Sequence, residues 1–227
     1  MKVGRAGFHL VLASLSVFVA AGCLRWIGVE TPARALAIGL GYLSLTLVAT
    51  TLILGPLALW TRRRNPVNIF RRRDVGIWAG LTGLAHVWFG FQVHLGGNIL
   101  HYFVQPIEHQ AYFAVGNEER YYTVSLGYLP QLGEFGIANW TGLAGTATLL
   151  LLLLLSNDLS LRALRGPRWK ALQRLNYVLA VLVLIHTFLY QIAVDRGAPF
   201  GVVVMVCAVA VIAIQLAGVV RYRLGAV

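Results

Sequence analysis

The sequence predicts an all-α polytopic membrane protein. It is a six-helix transmembrane bundle forming one domain over residues 1–227, with both termini cytoplasmic. Three observations predict it. Hydrophobic residues make up 58% of the 227 and charged residues only 12%, about half the usual soluble share. Mean hydropathy is +0.72. Six apolar runs approach or exceed the roughly 20 residues a helix needs to cross a bilayer, and Lys and Arg gather in the segments between them.

This composition excludes an ordinary soluble enzyme and a disordered chain. Cys23 and Cys207 both lie in apolar runs, which excludes a disulfide scaffold and reads as packing. A net charge of +11 in a soluble chain would suggest nucleic acid. Here the basic residues report membrane topology, so the expected partner is the lipid bilayer and not a nucleic acid.

The runs are about 8–24, 35–60, 75–95, 135–156, 172–194 and 200–220. The first is read as a retained helix rather than a signal peptide or a lipoprotein leader cut before Cys23. The fourth carries seven consecutive leucines, Leu149 to Leu155, as a lipid-facing span does. Fifteen of the 19 basic residues fall on one side of the runs; Arg25, Arg34, Arg120 and Arg196 fall on the other. The rule that positive loops stay inside places that basic side in the cytoplasm. One long external connection, about 96–134, is expected to be functional or to carry its own short helices. No internal repeat is evident.

Six histidines carry the chemistry: His9, His86, His94, His101, His109 and His186. Titratable groups within a bilayer are costly and mark function. His86 lies 11 residues into the third run and His186 about 14 into the fifth, at comparable depths near mid-membrane. Two neutral imidazoles from facing helices can hold one haem iron as a six-coordinate electron-transfer centre. Gly83 and Gly90, at −3 and +4 from His86, bare the helix face that a flat macrocycle would approach; the plain alternative is close helix packing. His101 is a candidate ligand of a second haem if the third helix persists that far. His94 is a candidate rim hydrogen-bonder, and His9 is expected at the interface. His101, Glu108 and His109 form a weak candidate metal site, with wet surface histidines the favoured reading. Arg72, Arg73 and Arg174 adjoin the ligand helices and are candidates for neutralising haem propionates or docking an anionic flavin donor.

Three stretches then carry a family resemblance: Leu54-Gly55-Pro56-Leu57; Arg72-Arg73-Asp74-Val75-Gly76-Ile77-Trp78 leading to His86; and Leu172-Gln173-Arg174-Leu175-Asn176-Tyr177 leading to His186. Together they resemble the ferric reductase-like transmembrane domain family over about residues 40–195, nearest to the haem-binding membrane subunits of the MsrQ/YedZ type. The resemblance implies haem b on His86 and His186. It also implies a second haem whose usual histidine, 13 residues before His186, is here Gln173. One haem, or a second ligated through His101, are the two alternatives. The pairing is either His86 with His186, which is preferred, or His86 opposite Gln173 with His101 opposite His186.

No nucleotide-binding glycine motif is present. Electrons are therefore expected from a separate cytoplasmic flavin (FMN) reductase or from the quinol (quinone) pool. They would pass to a periplasmic redox protein or a ferric chelate. The alternative is a non-redox transporter or assembly protein on the same scaffold.

Overall fold

The computed structural model describes residues 4–26, 31–60, 69–94, 97–115, 118–193 and 200–224. Arg62, Arg63 and Arg64 of the basic loop, with Lys2 and Arg196, lie outside the described residues, as does the Cys207 side chain. The described chain is mostly helical. Its helices are α1 (Arg5–Trp26), α2 (Pro32–Trp60), α3 (Ile69–Gly90), α4 (Glu134–Leu155), α5 (Asp158–Gln173), α6 (Leu175–Ala193) and α7 (Phe200–Arg223).

Among the described residues, five stretches are long and apolar enough to cross a membrane: Arg5–Arg25, Pro32–Leu57, Glu134–Leu155, Asp158–Gln191 and Val204–Arg223. α3 carries Arg71, Arg72, Arg73 and Asp74 near its start and is not among the five. Side chains such as Phe18 on α1 and Val202 on α7 stand open, as lipid-facing residues do.

The external connection differs from an all-α chain. After a 3-10 turn at Ile99–Tyr102 it forms two strands, β1 (Val104–Val115) and β2 (Glu118–Pro130). They pair antiparallel from Val104 with Pro130 to Val115 with Glu118, with one irregularity between Pro106 and Glu108. Ile107, Tyr112, Phe113, Tyr121, Tyr122 and Val124 are strand-favouring residues. The intervening dipeptide Gly116-Asn117 is a hairpin signal in the sequence.

The bundle has a hairpin end, where α3 and α6 finish and α2 and α4 begin, and a basic end with Arg71–Arg73 and α5. α2 packs mainly on α3, and α4 mainly on α6. Toward the basic end an apolar core closes the bundle, built from Leu43, Leu47, Val75, Ala79, Leu152 and Leu179. There the Asp74 carboxylate, 1% exposed, takes Arg5 at 2.8 Å and stands 3.4 Å from His9, whose Nδ1 accepts from the Trp78 indole. α1 is thereby fastened to α3. α5 is amphipathic and kinked at Arg165, which precedes Gly166-Pro167. Its buried Trp169 donates to the Leu155 carbonyl and folds α5 back on the end of α4.

Pro56 lies inside α2 and has no N–H, so the carbonyl four residues earlier, that of Leu52, loses its helical donor. In a bilayer such a carbonyl needs a replacement. Gln215 on α7 supplies it, its Nε2 donating to Leu52 O at 2.6 Å. Gln215→Leu therefore orphans a carbonyl within the bundle. The expected cost is about 1–3 kcal/mol, read as a lower thermal midpoint in detergent with an unchanged helical spectrum.

Candidate functional site

The ring of His86 on α3 meets that of His186 on α6, with centroids 6.0 Å apart and planes at 82°. Each ring is held in the same way. The Nδ1–H of His86 donates to the Ala37 carbonyl of α2 at 2.6 Å, and the Nδ1–H of His186 donates to the Ala138 carbonyl of α4 at 2.8 Å. These bonds fix the tautomer and leave the lone pair on each Nε2, the arrangement common in metal-ligating histidines. Four residues beyond each alanine is a glycine. A Cβ at Gly41 would lie 2.7 Å from His86 Nδ1, and one at Gly142 would lie 2.7 Å from His186 Nδ1. Only a bare backbone lets the ring seat there.

The two helix pairs thus repeat one module: an Ala-x-x-x-Gly step on one helix and a histidine on its neighbour. No sequence repeat marks them because the modules have only an alanine, a glycine and a histidine in common, although the alanine-to-histidine separations are nearly equal at 49 and 48 residues. The step itself is a small-x-x-x-small pattern, which lets membrane helices approach closely. It was the available signal for Gly41 and Gly142.

A cavity of about 310 Å3 opens around the two rings, walled mainly by α2, α3, α4 and α6. Its volume is at the lower end for cofactor pockets. Metal–imidazole bonds are about 2 Å long. A ring nitrogen lies about 1.1 Å from the centre of a five-membered ring with bonds of about 1.3 Å. Imidazoles on opposite sides of one iron therefore have centres about 6 Å apart, and the observed 6.0 Å matches. The donor set and the glycine cradles fit a bis-histidine haem.

Gly83 and Gly90 both line this cavity. They differ in role: a Cβ at Gly83 would strike Leu149 and Ser44, whereas one at Gly90 meets nothing within 4 Å. His86 lies four residues before the end of α3 and His186 seven before the end of α6. The pair therefore sits nearer the hairpin end of these helices than the basic end. The sequence estimate took Val75 as the start of the third span, but α3 begins at Ile69 and ends at Gly90.

That early end also removes the continuous helix on which a His101 ligand depended. His101 sits in the 3-10 turn, and its carbonyl accepts from Gln131. Tyr102 explains the break. Its hydroxyl lies 3.0 Å from the Gly90 carbonyl and accepts from the His94 N–H, satisfying groups the helix end leaves open. Burial pushes the Tyr102 phenol above its usual range. His94 lines the cavity and packs on Tyr102, Phe135 and Tyr190. Glu108 and His109 are exposed on β1, and among the described residues no three His, Cys, Asp or Glu side chains form a metal cluster.

Arg72, Arg73 and Arg174 do not line the cavity. Arg73 is 13 residues from His86, about 20 Å along the helix, and pairs with Asp158 at the start of α5. It braces α5 against α3. Arg174 is exposed beyond α5, and Arg72 lies beside Gly55 of α2. Gln173 keeps a buried Nε2 without a partner. His86 faces His186, not Gln173, and the space toward the basic end is filled by Val75, Ala79 and Leu179.

Sequence reasoning missed Asn139, Tyr190 and Gln191, which all line the cavity's hairpin end. Tyr190 stacks near His186, with ring centres 4.9 Å apart, and its hydroxyl donates to Asn139 Oδ1 at 2.7 Å. Comparison with known proteins returns no matching family model, no matching curated protein and no matching solved structure.

Proposed function

We propose that this chain is a membrane-spanning b-type haem protein that passes electrons to an acceptor at its hairpin end. The observation that carries the reading is the seating of His86 and His186: centres 6.0 Å apart, each Nδ1 engaged by a backbone carbonyl. Haem bound between them supplies a one-electron iron couple. The protein does the rest. Ala37 and Ala138 orient the rings, Gly41 and Gly142 give them room, and apolar walls keep water from the centre. Tyr190, His94 and Tyr102 continue an aromatic line from His186 toward the hairpin.

α3 is the sixth span in this reading. Its 22 residues reach about 33 Å, and its arginines reach the interface at the basic end. Both termini and that basic end face the cytoplasm by the charge rule, and the family resemblance points to a bacterial inner membrane. The packed core between the histidines and the basic end favours a single haem. It also favours a donor working within the bilayer, a quinol, over direct transfer from a cytoplasmic flavoprotein. A periplasmic redox protein or ferric chelate is the acceptor. The resemblance to the ferric reductase-like family agrees with this assignment.

The test is optical and magnetic. Dithionite-reduced protein should show the split bands of a low-spin b-type centre. Ring planes at 82° should give the oxidised form a single low-field resonance of large maximum g, in place of the three-line rhombic spectrum of parallel rings. A colourless chain that binds a solute would overturn the reading in favour of a transporter or an assembly protein.

A further inference from the structure

The hairpin end of the cavity holds a second feature, independent of the ligand pair. Asn139 lines the cavity and is 6% exposed. The Tyr190 hydroxyl donates to its Oδ1 at 2.7 Å, which fixes the orientation of the amide. Its Nδ2 is buried and has no partner. A buried donor left unpaired costs about 1–3 kcal/mol, and α4 could hold Leu or Ala at this position without that cost. Arg34 lines the same end of the cavity.

We infer that Asn139 is a carboxylate-binding residue, its Nδ2–H donating to a propionate carboxylate of the porphyrin. Tyr190 is then a positioning residue, acting through the amide it pins. The inference rests on the bis-histidine reading. It adds a direction: the macrocycle enters with its carboxylates toward the hairpin and its apolar edge toward the packed core. The arginines at the basic end take no part.

The experiment titrates the full-length chain, purified without haem in detergent, with ferric protoporphyrin IX and with its dimethyl ester. The ester keeps the iron and the ring but cannot present a carboxylate. Wild type should prefer the free acid. Asn139→Leu should narrow that preference roughly tenfold, the effect of losing one hydrogen bond to a charged group, and should weaken ester binding less, because an ester carbonyl accepts a hydrogen bond without charge. Tyr190→Phe keeps α4 intact, guards against a folding defect in the first variant, and should narrow the preference by less. Equal affinity of wild type for acid and ester, or an undiminished preference in both variants, overturns the inference while the ligand pair stands. Failure of wild type to bind either porphyrin overturns the ligand pair and the inference with it.

Discussion

Replacing His86 or His186 with glycine should abolish the low-spin spectrum and leave a helical, membrane-inserted chain. In the proposed centre each imidazole would supply one of the two nitrogen donors, and no other described histidine contacts the pair. The nearest other ring, Tyr190, is committed to Asn139. Loss of a direct ligand should exceed the roughly 10–100-fold in affinity that loss of an outer partner costs. The deleted ring leaves a hole of its own shape, so added imidazole should restore the low-spin bands in either variant. His101→Gly and His109→Gly should change neither spectrum nor haem content, since those residues lie in the 3-10 turn and on the exposed strand. A normal spectrum in His186→Gly without added imidazole would contradict the assignment.

The second large effect is expected at glycines. Gly41→Ala and Gly142→Ala each place a methyl group 2.7 Å from the Nδ1 of a pinned ring. The ring must leave its carbonyl, and the Nε2 lone pair turns away from the iron axis. Haem affinity should fall roughly 10–100-fold, as for loss of an outer-shell partner. The fall should be similar at the two sites because the modules are equivalent. Gly76→Ala is the control: Gly76 lies on α3 but does not line the cavity, and its Cβ would meet nothing within 4 Å. It should bind haem as wild type does. Equal losses at Gly41, Gly142 and Gly76 would show that any added bulk in the bundle lowers haem binding. Apo-protein thermal midpoints separate ring displacement from general destabilisation.

The legible part of this chain was its chemistry of extremes. Long apolar runs and clustered arginines expose the bundle, because a bilayer tolerates little else. His86 and His186 stand out because titratable groups are rare among leucines and valines. Their depth was less legible. The start of α3 is charged, so hydropathy places the span too late and moves His86 inward; the coordinates return it to the hairpin side. The partners of the rings were invisible for a different reason. The acceptors are the backbone carbonyls of Ala37 and Ala138, and a carbonyl leaves no mark on residue identity. Gly41 and Gly142 do leave a mark, but small residues are frequent in membrane helices for packing alone. The partner of Arg73 was not legible either: Asp158 lies 85 residues away and meets it only once α5 folds back. The β-ribbon was missed because long external loops carry no periodicity strong enough to outweigh a helical background, although Gly116-Asn117 was a usable cue.

The most direct measurement is the haem content of the purified full-length chain, taken as iron porphyrin per polypeptide after expression with ample haem supply. One haem per chain, lost in His86→Gly and in His186→Gly, is the expected result. A chain that stays free of haem, or one that holds a pair of them, would contradict a single iron gripped between α3 and α6.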